Sequence, residues 1–217
     1  MLRPMFKKLL LTFVLAAVGA LSAWSQGVFT CSPIPDSVYA RMAGVSLPSD
    51  ARVRRSDLRY LRLSYTDFEG HEHLGEMVCH RSVASDLLYV FRCLYEAHYP
   101  IASIRLIDDF GADDETSMRA NNTSCFCYRE VAGSRKLSRH AMGMAIDLNP
   151  LQNPCVRTRK DGSYVLQPST AYAYMDRSRD FAHKIDRQDL AYRLFTSRGF
   201  RWGGSWRTVL DYQHFEK

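Results

Sequence analysis

Residues 138–150 read SRHAMGMAIDLNP and place a histidine and an aspartate seven positions apart around a glycine. The letters AIDLN alternate as a half-buried strand does, so Asp147 is expected on one face and Ile146 on the core face. Gly143 permits a turn that brings His140 and Asp147 to one point. The stretch therefore predicts a strand end that presents an imidazole and a carboxylate together.

A second pair of such residues lies at the C-terminus, where residues 202–217 read WGGSWRTVLDYQHFEK. The letters TVLDYQHFE predict one final strand, with His214 on one face and Phe215 in the core. Asp211 precedes this face and is within reach of the same cavity if the strand begins with a turn. The two stretches together offer two imidazoles and two carboxylates.

Two imidazoles and one carboxylate form a familiar catalytic zinc set that leaves a fourth position for water. One interpretation is that His140, Asp147 and His214 bind zinc while Asp211 moves a proton. The alternative is ordinary, since a histidine in a strand is usually a surface or core residue and an aspartate before a tyrosine is often a turn residue. The spacing alone has no sharp signature and leaves both interpretations open.

The first stretch resembles the Ser-x-His-x-x-Gly-x-Ala-x-Asp motif of the M15 metallopeptidases, which include D-alanyl-D-alanine carboxypeptidases and L-alanyl-D-glutamate endopeptidases. The C-terminal stretch resembles the closing motif of that family, and the likeness runs from about residue 56 to residue 217. The resemblance implies one zinc ion per chain bound by His140, Asp147 and His214, with Asp211 as the catalytic acid. Many carboxypeptidase members have Glu at that position, so the Asp leaves the cleaved bond undetermined.

The resemblance also extends to the segment SMRANNTSCFCYR, which ends at Arg129. A guanidinium in the long polar stretch before the metal strand could hold a substrate carboxylate or steady the oxyanion of the scissile carbonyl. Arg119 lies in the same stretch, but Arg129 is the preferred catalytic candidate because it falls in the FCYR piece. A solvated loop arginine is the alternative.

Several other residues have both a possible functional role and an ordinary structural role. Ser138 is either a partner that orients His140 or a plain strand-end serine, and turn, core or structural roles are favoured for the rest: Asn121, Asn122, the HEH segment at 71–73, Trp202, Trp206, Cys125 and Cys127.

The order of predicted elements indicates a single α+β domain around a mostly antiparallel sheet with flanking helices. This order agrees with the fold that the resemblance implies, which is shared by the hedgehog signalling domain and DD-peptidases. The predicted elements are strands at 60–68, 73–80 and from 101, helices at 82–99 and 187–198 with Asp186 as the cap, a polar stretch at 111–137 and an irregular stretch at 151–180.

The N-terminus predicts an exported protein. A basic beginning, an apolar run and small residues before Gln26 are typical of a signal peptide, which we expect to be cleaved after residue 25. The mature chain then divides into an irregular lead-in at 26–56, with room for one short helix, and a zinc peptidase domain at 57–217. A cleaved signal without an anchor places the protein in the periplasm or outside the cell, without stable membrane insertion.

Charge and cysteine content indicate which partners and which cross-links to expect. The formal net charge of +6 falls by three once the leader is removed, and the arginines are scattered, so nucleic acid is not an expected partner. All six cysteines lie in the exported part, which predicts at least one disulfide rather than a cysteine zinc site. Six cysteines allow fifteen connectivities, and the sequence does not choose among them.

The resemblance implies a secreted zinc metallopeptidase, expected as a monomer, that hydrolyses peptidoglycan stem peptides. The bond is either a terminal D-Ala–D-Ala bond or an internal L-Ala–D-Glu type bond. One alternative is a zinc-containing binding module of the same fold that has lost turnover. Another is a disulfide-framed envelope domain without metal.

Overall fold

A computed structural model describes residues 26–131 and 134–217. The described residues form an α+β domain with four α-helices, as the order of elements predicted, but the strands form three small antiparallel sheets rather than one sheet. The predicted signal peptide at 1–25 lies outside the described residues.

The first sheet has the order β1-β2-β3. Its strands are β1 (Phe29–Ser32), β2 (Leu58–Thr66) and β3 (Glu72–His80). The two strands predicted at 60–68 and 73–80 are confirmed as β2 and β3. Alternation along β2 gives the sheet two apolar faces, because Leu61 and Leu63 contact the core on the side of helix α2 (Ala84–Glu96).

The other face of this sheet is covered by the predicted lead-in. Helix α1 (Asp36–Met42) contributes Val38 and Met42 to a second apolar cluster with Tyr60 and Val78. Strand β1 also falls in the lead-in and pairs with β2, which the sequence did not indicate. Residues 26–56 therefore pack onto the sheet and contain a strand as well as a helix.

The strand predicted from residue 101 is wrong. Residues Ile107–Phe110 form a 3₁₀ helix, and Ile104 makes only an isolated bridge to Thr123. The buried side chain of Asn122 explains the interruption, because its amide binds both the backbone N–H and the backbone C=O of Arg105. A ladder cannot continue past a residue whose two backbone groups are already bonded.

The polar stretch at 111–137 contains helix α3 (Asp114–Arg119). The Asp113 carboxylate caps this helix by accepting a hydrogen bond from the Thr116 N–H at 2.7 Å. The stretch is therefore partly helical, and it places Asp114 at the start of the helix.

The second and third sheets divide the C-terminal half. The second has the order β4-β9-β7 and consists of β4 (Ala145–Asp147), β7 (Arg201–Trp202) and β9 (His214–Glu216). The third has the order β6-β5-β8 and consists of β5 (Cys155–Thr158), β6 (Tyr164–Gln167) and β8 (Val209–Asp211).

Two predictions are corrected by these sheets. The stretch at 151–180 is not wholly irregular, because it contains β5 and β6. The single final strand is wrong, since β8 pairs with β5 whereas β9 pairs with β4 and β7. The chain changes sheets between Asp211 and His214.

Helix α4 (Leu190–Ser197) begins later than predicted and has a different cap. Asp189 accepts a hydrogen bond from the N–H of Ala191 at 2.8 Å, whereas Asp186 accepts from Gln188 in the preceding turn. The helix packs into the main core through Phe195, whose ring stacks on Phe215 with centroids 4.5 Å apart. This core joins the first sheet to strands β4 and β9.

The predicted disulfide is wrong, because all six cysteines are free thiols. Four of them are buried, at separate places in the fold: Cys79, Cys125, Cys127 and Cys155.

No helix in the described part of the chain is both long and apolar enough to cross a membrane.

Candidate metal centre

Strand pairing brings Asp147 and His214 together. The two residues are direct partners in the register of β4 and β9, and the adjacent partners Ile146 and Phe215 are fully buried beneath them. Side chains at partnered positions of antiparallel strands lie on the same face. The His214 Nδ1 atom is accordingly 3.0 Å from the Asp147 Oδ1 atom.

His140 reaches the same point from a 3₁₀ helix, His140–Met142, that precedes β4. Gly143 ends this turn with φ +66°, and an added Cβ would lie 2.6 Å from the His80 backbone nitrogen, so only glycine fits. The His140 Nδ1 atom is 2.7 Å from the Cys125 carbonyl, to which it donates. Its Nε2 atom is thereby left to face Asp147 and His214.

The three side chains bring donor atoms close enough together to bind one metal ion. His140 Nε2 is 3.1 Å from His214 Nδ1 and 3.2 Å from Asp147 Oδ2. Tetrahedral ligands about 2.0–2.1 Å from zinc stand about 3.3 Å from one another. The three residues are almost fully buried, and they form the one group of this kind among the described residues. The donor set therefore fits a zinc ion with an open fourth position.

Electrostatic attraction holds the side chains of Asp147, His140 and His214 together. Burial opposes ionisation of Asp147, but His140 and His214 hold its pKa far below the usual range. Burial would lower the pKa of His214, yet hydrogen bonds to Asp147 and Glu216 raise that pKa to about 10. The carboxylate thus attracts positive charge, which a divalent cation would supply in place of the proton.

Asp211 stands beside the group without belonging to it. It lies at the end of β8, opposite Cys155 in the register with β5. Its Oδ1 atom is buried and has no hydrogen-bond partner among the described residues. Burial raises the pKa of Asp211 to about 6, against the attraction of His214. A carboxyl with a pKa near neutrality can both accept and return a proton.

Arg129 lies on another wall of the same cavity. Its Nη2 atom is 2.7 Å from Asp114 Oδ2, while its buried Nε atom has no partner in the described part of the chain. The buried Oε1 atom of Gln213 is likewise without a partner there. Unpaired buried donors and acceptors cost free energy, so their concentration with Asp211 Oδ1 around one cavity indicates a place for ligand atoms.

The cavity has a volume of about 850 Å³, which lies within the range of sites for small molecules and short peptides. The metal-ligand candidates form its floor. One wall is the third sheet, where Cys155, Arg157 and Asp211 share a face.

Sequence reasoning missed several cavity residues. Asp114 and Gln213 carry no motif of their own and are found only through the tertiary structure. Glu216 had a signal, because it shares a strand face with His214 at a spacing of two residues.

Of the remaining candidates, Ser138 and Trp206 line this cavity. The Ser138 hydroxyl accepts a hydrogen bond from the His140 N–H at 3.2 Å, and the Trp206 ring centroid lies 5.3 Å from that of His214. Trp202 is instead buried in the main core and donates to the Tyr212 carbonyl. The tryptophan of the RWGGSW segment that faces the cavity is therefore Trp206.

Other candidates lie outside the cavity and have structural partners. Arg119 is exposed, whereas Asn121 bonds to Gln152 and to the Leu151 N–H. In the HEH segment, His73 binds Asp67 at 2.6 Å. Cys125 and Cys127 are buried and are absent from the residues that line the cavity.

Comparison with known proteins gives one match. Residues 132–217 match a family model described as D-alanyl-D-alanine carboxypeptidase. No curated protein and no solved structure matches the chain. The matched segment contains the three metal-ligand candidates and Asp211, whereas Arg129 and the whole first sheet precede it.

Proposed function

We propose that the protein is a zinc-dependent hydrolase of peptidoglycan stem peptides, because residues 132–217 match a family model described as D-alanyl-D-alanine carboxypeptidase. The observation that carries the proposal is the buried group of His140, Asp147 and His214, with the donor spacing of a zinc site. Asp211 adds a carboxyl of raised pKa at the edge of that group. We also propose the hedgehog/DD-peptidase-like fold for this domain.

Zinc bound by these three residues would supply a Lewis acid that polarises the peptide carbonyl and makes water a better nucleophile. The protein side chains perform the remaining steps. The Asp211 carboxylate takes a proton from the attacking water and returns it to the departing amine. Its Oδ1 atom, buried and unbonded, is the acceptor that this role needs.

Arg129 is proposed to stabilise the negative charge that develops on the scissile carbonyl oxygen. Its ion pair with Asp114 fixes the guanidinium by one nitrogen, at a position that lines the cavity. A fixed donor is more effective than a mobile one because no reorganisation is needed when the charge forms.

The proposed substrate and location follow from the family and the leader. The cavity volume of about 850 Å³ is in the range of small-ligand sites, and the matching family model is described as D-alanyl-D-alanine carboxypeptidase. Cleavage of the predicted signal peptide at 1–25 would release the enzyme as a monomer into the periplasm or the medium, where cell-wall peptides are found.

Mass analysis of defined muropeptides incubated with mature protein tests the proposal. We expect zinc-dependent cleavage that a chelator abolishes, and Asp211→Asn should reduce kcat/KM by about 10²- to 10⁴-fold while zinc binding is retained. Loss of one alanine identifies a carboxypeptidase, and a cut within the stem identifies an endopeptidase.

The principal alternative is a binding module of the same fold without turnover. It predicts one bound zinc per chain, retention of muropeptides and no cleavage. Purified protein that binds no zinc would contradict both the proposed enzyme function and the binding-module alternative.

A further inference from the structure

The two ring nitrogens of His214 face different partners. Nδ1 lies 3.0 Å from Asp147 Oδ1 and 3.1 Å from His140 Nε2, so it is the nitrogen that faces the candidate metal position. Nε2 points the other way and lies 3.5 Å from Glu216 Oε2. A histidine that binds a metal through one nitrogen carries its proton on the other, which needs an acceptor.

The position of Glu216 is fixed by strand pairing on both sides. Strand β9 is the central strand of its sheet, and Glu216 is partnered with Ala145 on β4 and with Arg201 on β7. The Arg201 Nη2 atom donates to Glu216 Oε1 at 2.7 Å. One carboxylate oxygen is thus bound by arginine, and the other is left for His214.

The His214–Glu216 contact is more buried than a typical surface ion pair. The side chains of His214 and Glu216 are 7% and 15% exposed, whereas that of Arg201 is 70% exposed. The His214–Glu216 contact is therefore largely buried, and the exposed Arg201 side chain binds the other carboxylate oxygen. A shielded carboxylate holds an imidazole more firmly than a hydrated one.

We propose that Glu216 is a positioning residue that fixes the ring orientation and tautomer of His214, with Arg201 holding the carboxylate in place. The inference rests on the proposed zinc site. The His214 ring would carry its proton on Nε2, donate it to Glu216 and present Nδ1 to the cation. Glu216 would thereby strengthen metal binding without contacting the metal.

Zinc affinity, measured by competition with a chromogenic chelator, tests this role. Glu216→Ala is expected to weaken zinc binding by about 10- to 100-fold. Glu216→Gln keeps a neutral acceptor of the same shape and is expected to weaken it several-fold. The matched control is Lys217→Gln, which removes the neighbouring 2.8 Å ion pair with Asp86 and should leave zinc affinity unchanged.

A second readout is the His214 ring itself in the zinc-loaded, ¹⁵N-histidine-labelled protein. The wild type should show a proton on Nε2 that exchanges slowly with solvent, and in Glu216→Ala this exchange should become fast. If the alanine variant does not fold, the glutamine variant decides both measurements.

Three results would overturn the inference. If the Glu216 variants bind zinc as tightly as the wild type and their His214 Nε2 proton still exchanges slowly, the positioning role of Glu216 is wrong and the proposed function is unaffected. An altered KM for muropeptides with unchanged zinc affinity would make Glu216 a substrate contact instead. A wild-type protein that binds no zinc would overturn the proposed function together with the inference.

Discussion

The Asp211 carboxyl is an ionisable group in a buried position. Its Oδ1 atom is buried and unbonded among the described residues, and burial raises its pKa to about 6. A raised carboxyl pKa in the folded state favours the protonated form. The fold is therefore destabilised when this group ionises.

The stability of the metal-free protein should record this cost. Between the ordinary pKa of 3.8 and the folded value of about 6, the folded state binds the proton that the unfolded state has lost. Stability conferred by the neutral Asp211 is hence present below pH 3.8 and is lost as the pH rises to 6. The Asp211→Asn variant has no carboxyl to ionise and does not lose this stability. The free energy of unfolding of the variant, minus that of the wild type, should therefore increase by up to about 3 kcal/mol from pH 3.5 to pH 7.

Urea unfolding of both metal-free proteins over this pH range measures the difference. Groups distant from Asp211 titrate equally in the two proteins and cancel in the comparison, whereas the pKa of His214, which Asp211 raises, changes with it. A difference in unfolding free energy that stays constant with pH would show that Asp211 has an ordinary pKa.

The third sheet acts as one wall of the cavity. Cys155 and Arg157 are two residues apart on β5, so they share a face, and they are partnered on β8 with Asp211 and Val209 respectively. A spacing of two residues is about 7 Å along a strand. Arg157 therefore lies about one strand repeat from the partner of Asp211 and lines the same cavity, and in the proposed mechanism Asp211 returns a proton to the departing amine.

This arrangement predicts a preference for a departing residue with a free carboxylate. The wild type should cleave such a peptide about 10- to 100-fold better, in kcat/KM, than the corresponding primary amide, the range expected for a charge-assisted pair. Arg157→Gln should remove most of this preference, chiefly through KM for the acid.

The matched control is Arg159→Gln, since Arg159 is exposed and belongs to the turn between β5 and β6 rather than to the cavity. Acid and amide peptides are assayed in parallel with all three proteins. An acid-to-amide ratio that Arg157→Gln leaves unchanged would exclude this residue as the carboxylate contact.

The main apolar core of the described residues connects the first sheet to strands β4 and β9. Phe215 and Ile146 belong to the same buried cluster as Leu61 and Phe91. His140, Asp147 and His214 come from three separate segments on this core. A cation bound by all three would join these segments in the folded state only.

Zinc should accordingly stabilise the entire domain. At a free concentration one hundred times the Kd, binding to the native state alone contributes about 2.7 kcal/mol. For a chain of this size, that corresponds to a rise in Tm of about 5–10 °C. Calorimetry with and without a chelator measures the shift, and His140→Ala should abolish it. An equal Tm in both conditions would argue against a zinc site that is formed by the fold.

Local patterns in the sequence determined several features of the fold. The alternation in β2 and β3 and the apolar spacing of α2 predicted those elements, because each buries a face whose periodicity is written in adjacent residues. The first histidine stretch likewise predicted strand β4, and the two stretches together gave the candidates His140, Asp147, His214 and Asp211. Gly143 supplied the turn, which is a local property of the backbone.

The tertiary structure alone decided which segments meet. The final strand is split because Asp211 pairs with Cys155 whereas His214 pairs with Asp147, and no local pattern encodes a choice of partner. The strand expected from residue 101 fails because Asn122, seventeen residues from Arg105, takes that residue's backbone bonds. The same reason hid Asp114 and the role of Glu216. Periodicity fixes which face of an element is buried, but packing and pairing between distant segments fix what that face contacts.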